Sequence, residues 1–87
     1  MKRQLLLCLA IISFLSNSGF AQKAKIAAAD KKYNSYAYID AIQTYERLAE
    51  KGYQSVEMFE KLGNAYYFNS DFEKAVQSYE KLYQLQS

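Results

Sequence analysis

The chain repeats part of itself. Residues 41–48, with the sequence AIQTYERL, return as AVQSYEKL at residues 75–82, and every position is identical or conservatively replaced. A fixed period of roughly 20–50 residues is typical of proteins in which each unit buries its apolar face only by stacking on a neighbour. The repeat therefore predicts a stacked array of small units, and it favours a binding function.

Apolar residues follow the same spacing in both copies, at intervals of three and four positions. They are Tyr38, Ala41, Ile42, Tyr45, Leu48 and Ala49 in the first copy and Phe72, Ala75, Val76, Tyr79, Leu82 and Tyr83 in the second. This spacing places them on one face of an amphipathic helix. The alternation of polar and apolar residues that a strand requires never persists along the chain.

A further helix is predicted between these two, from about Val56 to Asn69. Ser55 is placed to cap its start, and Gly52 is placed to end the helix before it in a left-handed conformation. Ser70 and Glu73 have the S-x-x-E spacing of a capping box, which predicts the start of the last helix.

Upstream, the alanine-rich segment Lys23–Tyr33 predicts a first helix, with Asn34–Ala37 as the turn after it. Within the third helix, Glu57 and Lys61 are spaced for an ion pair. The sequence thus predicts an all-α fold, an antiparallel helix-turn-helix array of about two repeats with short loops.

Residues 1–21 have the pattern of a secretory signal peptide. Lys2 and Arg3 precede an apolar run, Leu5–Leu15, and the segment ends in the small-x-small motif Gly19-Phe20-Ala21. We expect cleavage after Ala21. An uncleaved anchor is the less favoured alternative, because the apolar run is much shorter than the roughly 20 residues that span a bilayer.

Composition excludes several kinds of function. Loss of Lys2 and Arg3 from the 11 basic residues leaves nine, against nine acidic ones, so nucleic-acid binding and polybasic membrane docking have no support. The chain has no histidine, and its single cysteine, Cys8, lies in the apolar run. We therefore expect no metal site, no cofactor, no disulfide and no catalytic site.

Residues Val56–Ser87 resemble a tetratricopeptide repeat. The positions of its motif hold Phe59, Leu62, Gly63 and Tyr66 in the first helix and Ala75, Tyr79 and Leu82 in the second. In the earlier copy the first-helix positions hold Lys25, Ala28, Ala29 and Lys32, as in a degenerate capping repeat. After the signal peptide of 1–21, the resemblance implies a capping repeat over 22–55 and a repeat over 56–87, with Gly63 at a close helix approach.

A narrower resemblance covers residues 28–83. This segment is similar to the N-terminal region of OmpA-like outer-membrane proteins of the Bacteroidota, in which a signal peptide and tetratricopeptide repeats precede further domains. The resemblance implies an exported, periplasmic, outer-membrane-associated module that contacts other envelope components. The peptidoglycan-binding domain of that family has no counterpart in these residues.

In tetratricopeptide arrays the first helix of each repeat lines a concave groove. The resemblance places five exposed groove residues here, and they are Glu57, Glu60, Asn64, Tyr67 and Phe68. Asn64 would hydrogen-bond a peptide and the two aromatic residues would contact it. The alternative is that these residues only build the repeat. Tyr38, Tyr45, Tyr66 and Tyr79 are expected in the core instead.

The sequence therefore predicts a non-enzymatic protein–protein interaction module that binds a protein or peptide of the cell envelope. One alternative is a purely structural cap or spacer in a larger envelope protein. Another is a small standalone periplasmic protein that self-associates through the open edge of the array, around Phe72–Tyr83.

Overall fold

The computed structural model describes residues 19–87 as four helices and contains no strand in this range. The helices are α1 over residues 19–34, α2 over Tyr38–Glu50, α3 over Val56–Phe68 and α4 over Phe72–Gln86. The predicted all-α array is confirmed. None of the helices in this range is long and apolar enough to cross a bilayer. Residues 1–18 of the predicted signal peptide lie outside the described residues. Residues 19–21 belong to α1, in which Ala21 is exposed.

The first three helices end in the same way. In each case a residue with positive φ follows the helix, and these residues are Tyr36 (65°), Gly52 (94°) and Ser70 (63°). The next residue donates its N–H to a carbonyl five positions back, as Tyr53 does to Leu48 over 3.0 Å. This pair of features defines a Schellman stop, which satisfies carbonyl groups that the helix leaves free. The predicted role of Gly52 is confirmed.

The predicted capping box at Ser70 is wrong. The residue that caps α4 is Asp71, whose side chain accepts a hydrogen bond from the N–H of Lys74. Ser70 is instead held in the left-handed conformation that ends α3, because the N–H of Asp71 bonds to the carbonyl of Tyr66 over 2.8 Å. The cap predicted at Ser55 is confirmed, since its hydroxyl accepts from the N–H of Met58.

The core lies where the apolar faces of α2, α3 and α4 meet. Its fully buried large side chains are Tyr45, Leu48 and Phe59. The remaining core residues are Ala29, Ala41, Ile42, Met58, Leu62, Ala65, Tyr66, Ala75 and Leu82. Of the four tyrosines expected in the core, Tyr45 and Tyr66 are buried, whereas Tyr38 and Tyr79 are partly buried.

Side-chain hydrogen bonds follow the period of the repeat as well. The phenol of Tyr45 donates to the carboxylate of Asp30, and at the corresponding positions of the second copy the phenol of Tyr79 donates to the amide oxygen of Asn64, both over 2.5 Å. Each bond joins the second helix of a hairpin to the first helix of the same hairpin. The same kind of hydrogen bond therefore joins the two helices in each hairpin, although α1 and α3 have different sequences.

The close approach expected at Gly63 is confirmed, and the neighbouring group is the ring of Tyr79. A β-carbon at Gly63 would lie 2.5 Å from Cε1 of that ring, which is closer than carbon atoms pack. Position 29, the counterpart in the first hairpin, carries an alanine that is fully buried. The lack of a side chain at Gly63 lets α4 lie directly against α3.

Candidate partner-binding surface

The five predicted groove residues all belong to α3, but they do not form one continuous site. Glu57 and Glu60 are exposed near the start of the helix, and Tyr67 and Phe68 are exposed at its end. At a rise of about 1.5 Å per residue, Glu57 and Phe68 are roughly 16 Å apart along the axis. Asn64 lies between the two pairs and is half-buried.

The side chain of Asn64 is engaged within the fold. Its amide oxygen accepts the hydrogen bond from Tyr79 on α4, and its amide nitrogen donates to the phenol oxygen of Tyr33 on α1 over 3.3 Å. One polar side chain therefore joins three helices. Burial raises the pKa of Tyr79, with the neighbouring Tyr33 as the next cause, so this phenol stays protonated and remains a donor.

A second polar group links the two hairpins. The carboxylate of Asp30 on α1 accepts from the phenol of Tyr45 and lies 3.2 Å from the ammonium of Lys61 on α3. Burial raises the pKa of Tyr45, and the hydrogen bond to Asp30 raises it further. The predicted pair of Glu57 with Lys61 is wrong, because Lys61 reaches across to α1 instead.

Six aromatic rings form a contiguous surface at one end of the helices, which we name the aromatic edge. They are Tyr33, Tyr36, Tyr38, Tyr67, Phe68 and Phe72. Tyr38 and Phe68 are stacked with ring centroids 5.2 Å apart, and the rings of Tyr67 and Phe72 meet edge to face at 5.3 Å. The stacked pair joins the first hairpin to the second. The aromatic edge is therefore held in place by contacts between its own rings.

Four rings of the aromatic edge remain largely open to solvent. Tyr36 is 79% exposed, and Tyr67, Phe68 and Phe72 are 54%, 57% and 56% exposed. Ile39, which is 59% exposed, extends the same surface along the start of α2. Clustered exposed apolar side chains on a small protein are typical of an interaction surface. Aromatic side chains are also the residues that most often carry binding energy in protein interfaces.

Sequence reasoning identified only part of the aromatic edge, namely Tyr67 and Phe68. A signal for more of it was present in the period, because aromatic residues recur at 33 and 67 and again at 38 and 72. Tyr36 carries no such signal. It lies at the positive-φ position of the turn after α1, and its exposed ring meets the ring of Tyr38 edge to face.

A cleft of about 340 Å³ lies between α2 and α4 and shares no residue with the predicted groove. Glu46 and Glu50 line it on α2, and Lys74 and Lys81 line it on α4. The two ammonium groups lie over the rings of Tyr66 and Phe59, with distances of 5.8 and 5.6 Å to the ring centroids. The lysines therefore cover core rings of α3 while facing the acidic side of α2.

Within residues 19–87 the structure holds no group of three or more histidine, cysteine, aspartate or glutamate side chains that could bind a metal ion. Comparison of the chain with protein-family models, with curated proteins and with solved structures found no match.

Proposed function

We propose that this chain is a non-enzymatic protein–protein interaction module of the tetratricopeptide-repeat type, which binds a segment of a partner protein through the aromatic edge. The observation that carries the proposal is the preformed cluster of exposed rings that spans both hairpins. Because these rings already contact one another, docking of a partner orders little additional chain. Aromatic side chains also supply a large contact area per residue.

The assignment to the tetratricopeptide type is supported by the residues of α3 and α4. Gly63 meets Tyr79 at the close approach that the repeat motif implies, and Phe59, Leu62 and Tyr66 are buried at the motif's apolar positions. Lys25 and Lys32 stand at two of the corresponding positions in α1, where they are exposed. This difference supports a capping role for the first hairpin.

The proposed cellular setting is the periplasm, in association with the outer membrane. Its support is the sequence pattern of residues 1–21 together with the resemblance of 28–83 to the N-terminal region of OmpA-like envelope proteins. The partner is then a protein or peptide of the cell envelope. Mass spectrometry of the protein purified from the periplasm tests export, because cleavage after Ala21 leaves Gln22 as the first residue.

Site-specific photo-crosslinking tests the aromatic edge directly. A photoreactive phenylalanine analogue replaces Tyr36 or Phe68 in living cells, and the same analogue at Gln84, an exposed residue at the other end of α4, is the control. We expect discrete crosslinked products from the two edge positions and none from position 84. A Tyr67→Ser, Phe68→Ser variant with an unchanged helical circular dichroism spectrum should lose those products.

The alternative function is a structural cap or spacer in a larger envelope protein. In that case the edge positions crosslink only within the chain itself, and the double serine variant behaves like the unchanged protein. Asn64 is unsuitable for this test, because its side chain bonds to Tyr33 and Tyr79 and its loss would disturb the fold as well as binding.

A further inference from the structure

A second surface, which the proposed function uses only at Phe72, runs along α4, and we name it the α4 stripe. It consists of Phe72, Val76 and Tyr83, which lie on one side of the helix, whereas the ring of Tyr79 beside them packs on Gly63 of α3. Val76 is 54% exposed and Tyr83 is 68% exposed, although both have the apolar character of core residues. Within the described residues no helix covers this side of α4.

The first hairpin shows what such a stripe contacts when it is covered. The corresponding residues of the first copy are Tyr38, Ile42 and Ala49 on α2, and they pack against the core with α3 as the neighbouring helix. Ile42 is 9% exposed, and Tyr38 and Ala49 are partly buried. The same positions of the same repeat are therefore closed in α2 and open in α4, and the difference is the presence of a helix like α3.

The chain itself also displays the chemistry of that covering helix. The face of α3 presents Phe59, Leu62 and Tyr66, spaced at i, i+3 and i+7, and each of the three is at most 6% exposed. A helix that covers the α4 stripe would therefore be aromatic and leucine-rich on one face.

A second copy of this chain fits the stripe poorly in a head-to-tail arrangement. The free face of α1 carries Lys25, Ala28 and Lys32 where α3 carries Phe59, Leu62 and Tyr66, so the contact would bury two ammonium groups against apolar side chains. Such burial is costly without a paired charge.

A two-fold pairing of α4 with α4 of another copy is disfavoured for a different reason. Glu73 and Glu80 lie on the helix flank next to the stripe, and both are exposed. In an antiparallel pair of identical helices, corresponding flanks face one another. The acidic flank of one copy would then meet the acidic flank of the other, which is destabilising for like charges.

We propose that the α4 stripe is a docking site for an amphipathic helix of a partner protein, with an aromatic residue, a leucine and an aromatic residue at i, i+3 and i+7. The site continues the interface that α2 and α3 already form within the chain. Helices of this kind bind apolar grooves and faces through side chains at i, i+3 and i+7. The site is separate from the aromatic edge except at Phe72.

The experiment uses a fluorescein-labelled peptide of residues 54–71, which contains α3 and both of its caps, and measures fluorescence anisotropy with the whole protein. The control peptide carries Phe59→Lys, Leu62→Ala and Tyr66→Lys, the residues of α1. We expect saturable binding of the first peptide and at least tenfold weaker binding of the control.

Protein variants locate the binding site on α4. Val76→Glu should weaken binding of the peptide at least tenfold, whereas Leu85→Glu, which adds the same charge to α4 off the stripe, should leave it unchanged. Tyr83→Glu serves as a second stripe variant in case Val76→Glu lowers the helical content. Tyr67→Ser with Phe68→Ser should bind the peptide normally, so failure of this site and failure of the aromatic edge are distinguishable.

Three results would overturn the proposal. The first is absence of binding up to about 1 mM protein, the weakest affinity that such an assay measures. The second is equal binding by the unchanged protein and by both stripe variants. The third is a sedimentation mass of two chains that Val76→Glu reduces to one, because the occupant would then be a second copy.

Discussion

The two tyrosine hydrogen bonds give the sharpest quantitative prediction, because the same position of the repeat donates a hydrogen bond in both hairpins. Tyr45→Phe removes a donor to the carboxylate of Asp30, and Tyr79→Phe removes a donor to the neutral amide of Asn64. A hydrogen bond to a charged group contributes about 1.5–3 kcal/mol to the free energy of unfolding, and a neutral one contributes about 1 kcal/mol. The first substitution should therefore destabilise the protein more.

Local surroundings refine both values. Tyr45 is fully buried, but Asp30 keeps its ion pair with Lys61 when the phenol is removed, so we expect a loss near the lower limit, about 1.5–2 kcal/mol. Tyr79 and Asn64 are both partly open, so water replaces the lost donor and the loss is about 0.5–1 kcal/mol.

Urea unfolding followed by circular dichroism at 222 nm measures these values. With a slope of about 1 kcal/mol per molar urea, the midpoint should fall by about 1.5–2 M for Tyr45→Phe and by less than about 1 M for Tyr79→Phe. Tyr83→Phe, at an exposed ring, is the control and should shift neither the midpoint nor the slope. Asp30→Asn converts the first bond into the neutral type, and Tyr45→Phe should then cost no more than Tyr79→Phe. Equal losses at the two tyrosines in the unchanged background would refute the reasoning.

The hydrogen bond of Tyr45 also predicts how the stability of the protein depends on pH. Burial raises the pKa of Tyr45 above its ordinary value of 10.0, so the folded state favours the protonated phenol. The stability that this group contributes is complete below pH 10 and is lost as the pH rises above it. The advantage of the unchanged protein over Tyr45→Phe should therefore shrink by up to about 1.4 kcal/mol per pH unit above pH 10. Urea midpoints at pH 9, 10, 10.5 and 11 measure it, and an advantage that stays constant over this range contradicts the assignment.

Four further substitutions, one of them a control, test the packing and the helix ends by urea unfolding. Leu48→Ala should cost about 3–4 kcal/mol because the side chain is fully buried. Leu85→Ala, the control at a 40% exposed position, should cost less than about 0.5 kcal/mol. Similar losses for the two substitutions would contradict the core assignment. Gly63→Val should cost about 1–3 kcal/mol because its β-carbon meets the ring of Tyr79, and an unchanged midpoint would show that the helices do not approach closely there. Ser70→Gly should stabilise the protein by about 0.5–1 kcal/mol because the residue has φ of 63°, and a lower midpoint would argue against the left-handed turn.

The features that sequence analysis predicted correctly are those that short-range periodicity determines. Tyr45 and Leu48 are buried where the apolar spacing places them. Gly52 correctly predicts the end of α2, and Ser55 correctly predicts the start of α3. Position within a helix decides the burial of such residues once a neighbouring helix is present. The same spacing could not show that Val76 would be exposed, because its burial depends on a covering helix that the described residues do not supply.

The errors arise where another contact, local or distant, competes with the pattern that the sequence suggests. Ser70 fits a capping box with Glu73, but the hydrogen bond from Asp71 to Tyr66 fixes it in a left-handed turn instead. Local spacing likewise paired Lys61 with Glu57, whereas the acceptor is on α1.

Asn64 and the aromatic edge illustrate the same limit for the candidate site. The repeat motif predicted an exposed Asn64 that is free to bind a peptide, and two phenols from other helices bond to it. Tyr67 and Phe68 were predicted as contact residues, but their association with Tyr38 and Phe72 depends on how the two hairpins stack. A sequence pattern within one helix contains no information about that stacking.

The central claim is that two equivalent helical hairpins stack through α3, and nuclear Overhauser contacts in the labelled protein test it most directly. The account predicts a strong cross-peak between the α-protons of Gly63 and the ring protons of Tyr79, which reports the second hairpin. It also predicts cross-peaks between the side-chain amide of Asn64 and the ring of Tyr33, which report the stacking of one hairpin on the other. Helical chemical shifts with the first cross-peak but without the second would contradict the stacked array, and loss of both would contradict the repeat itself.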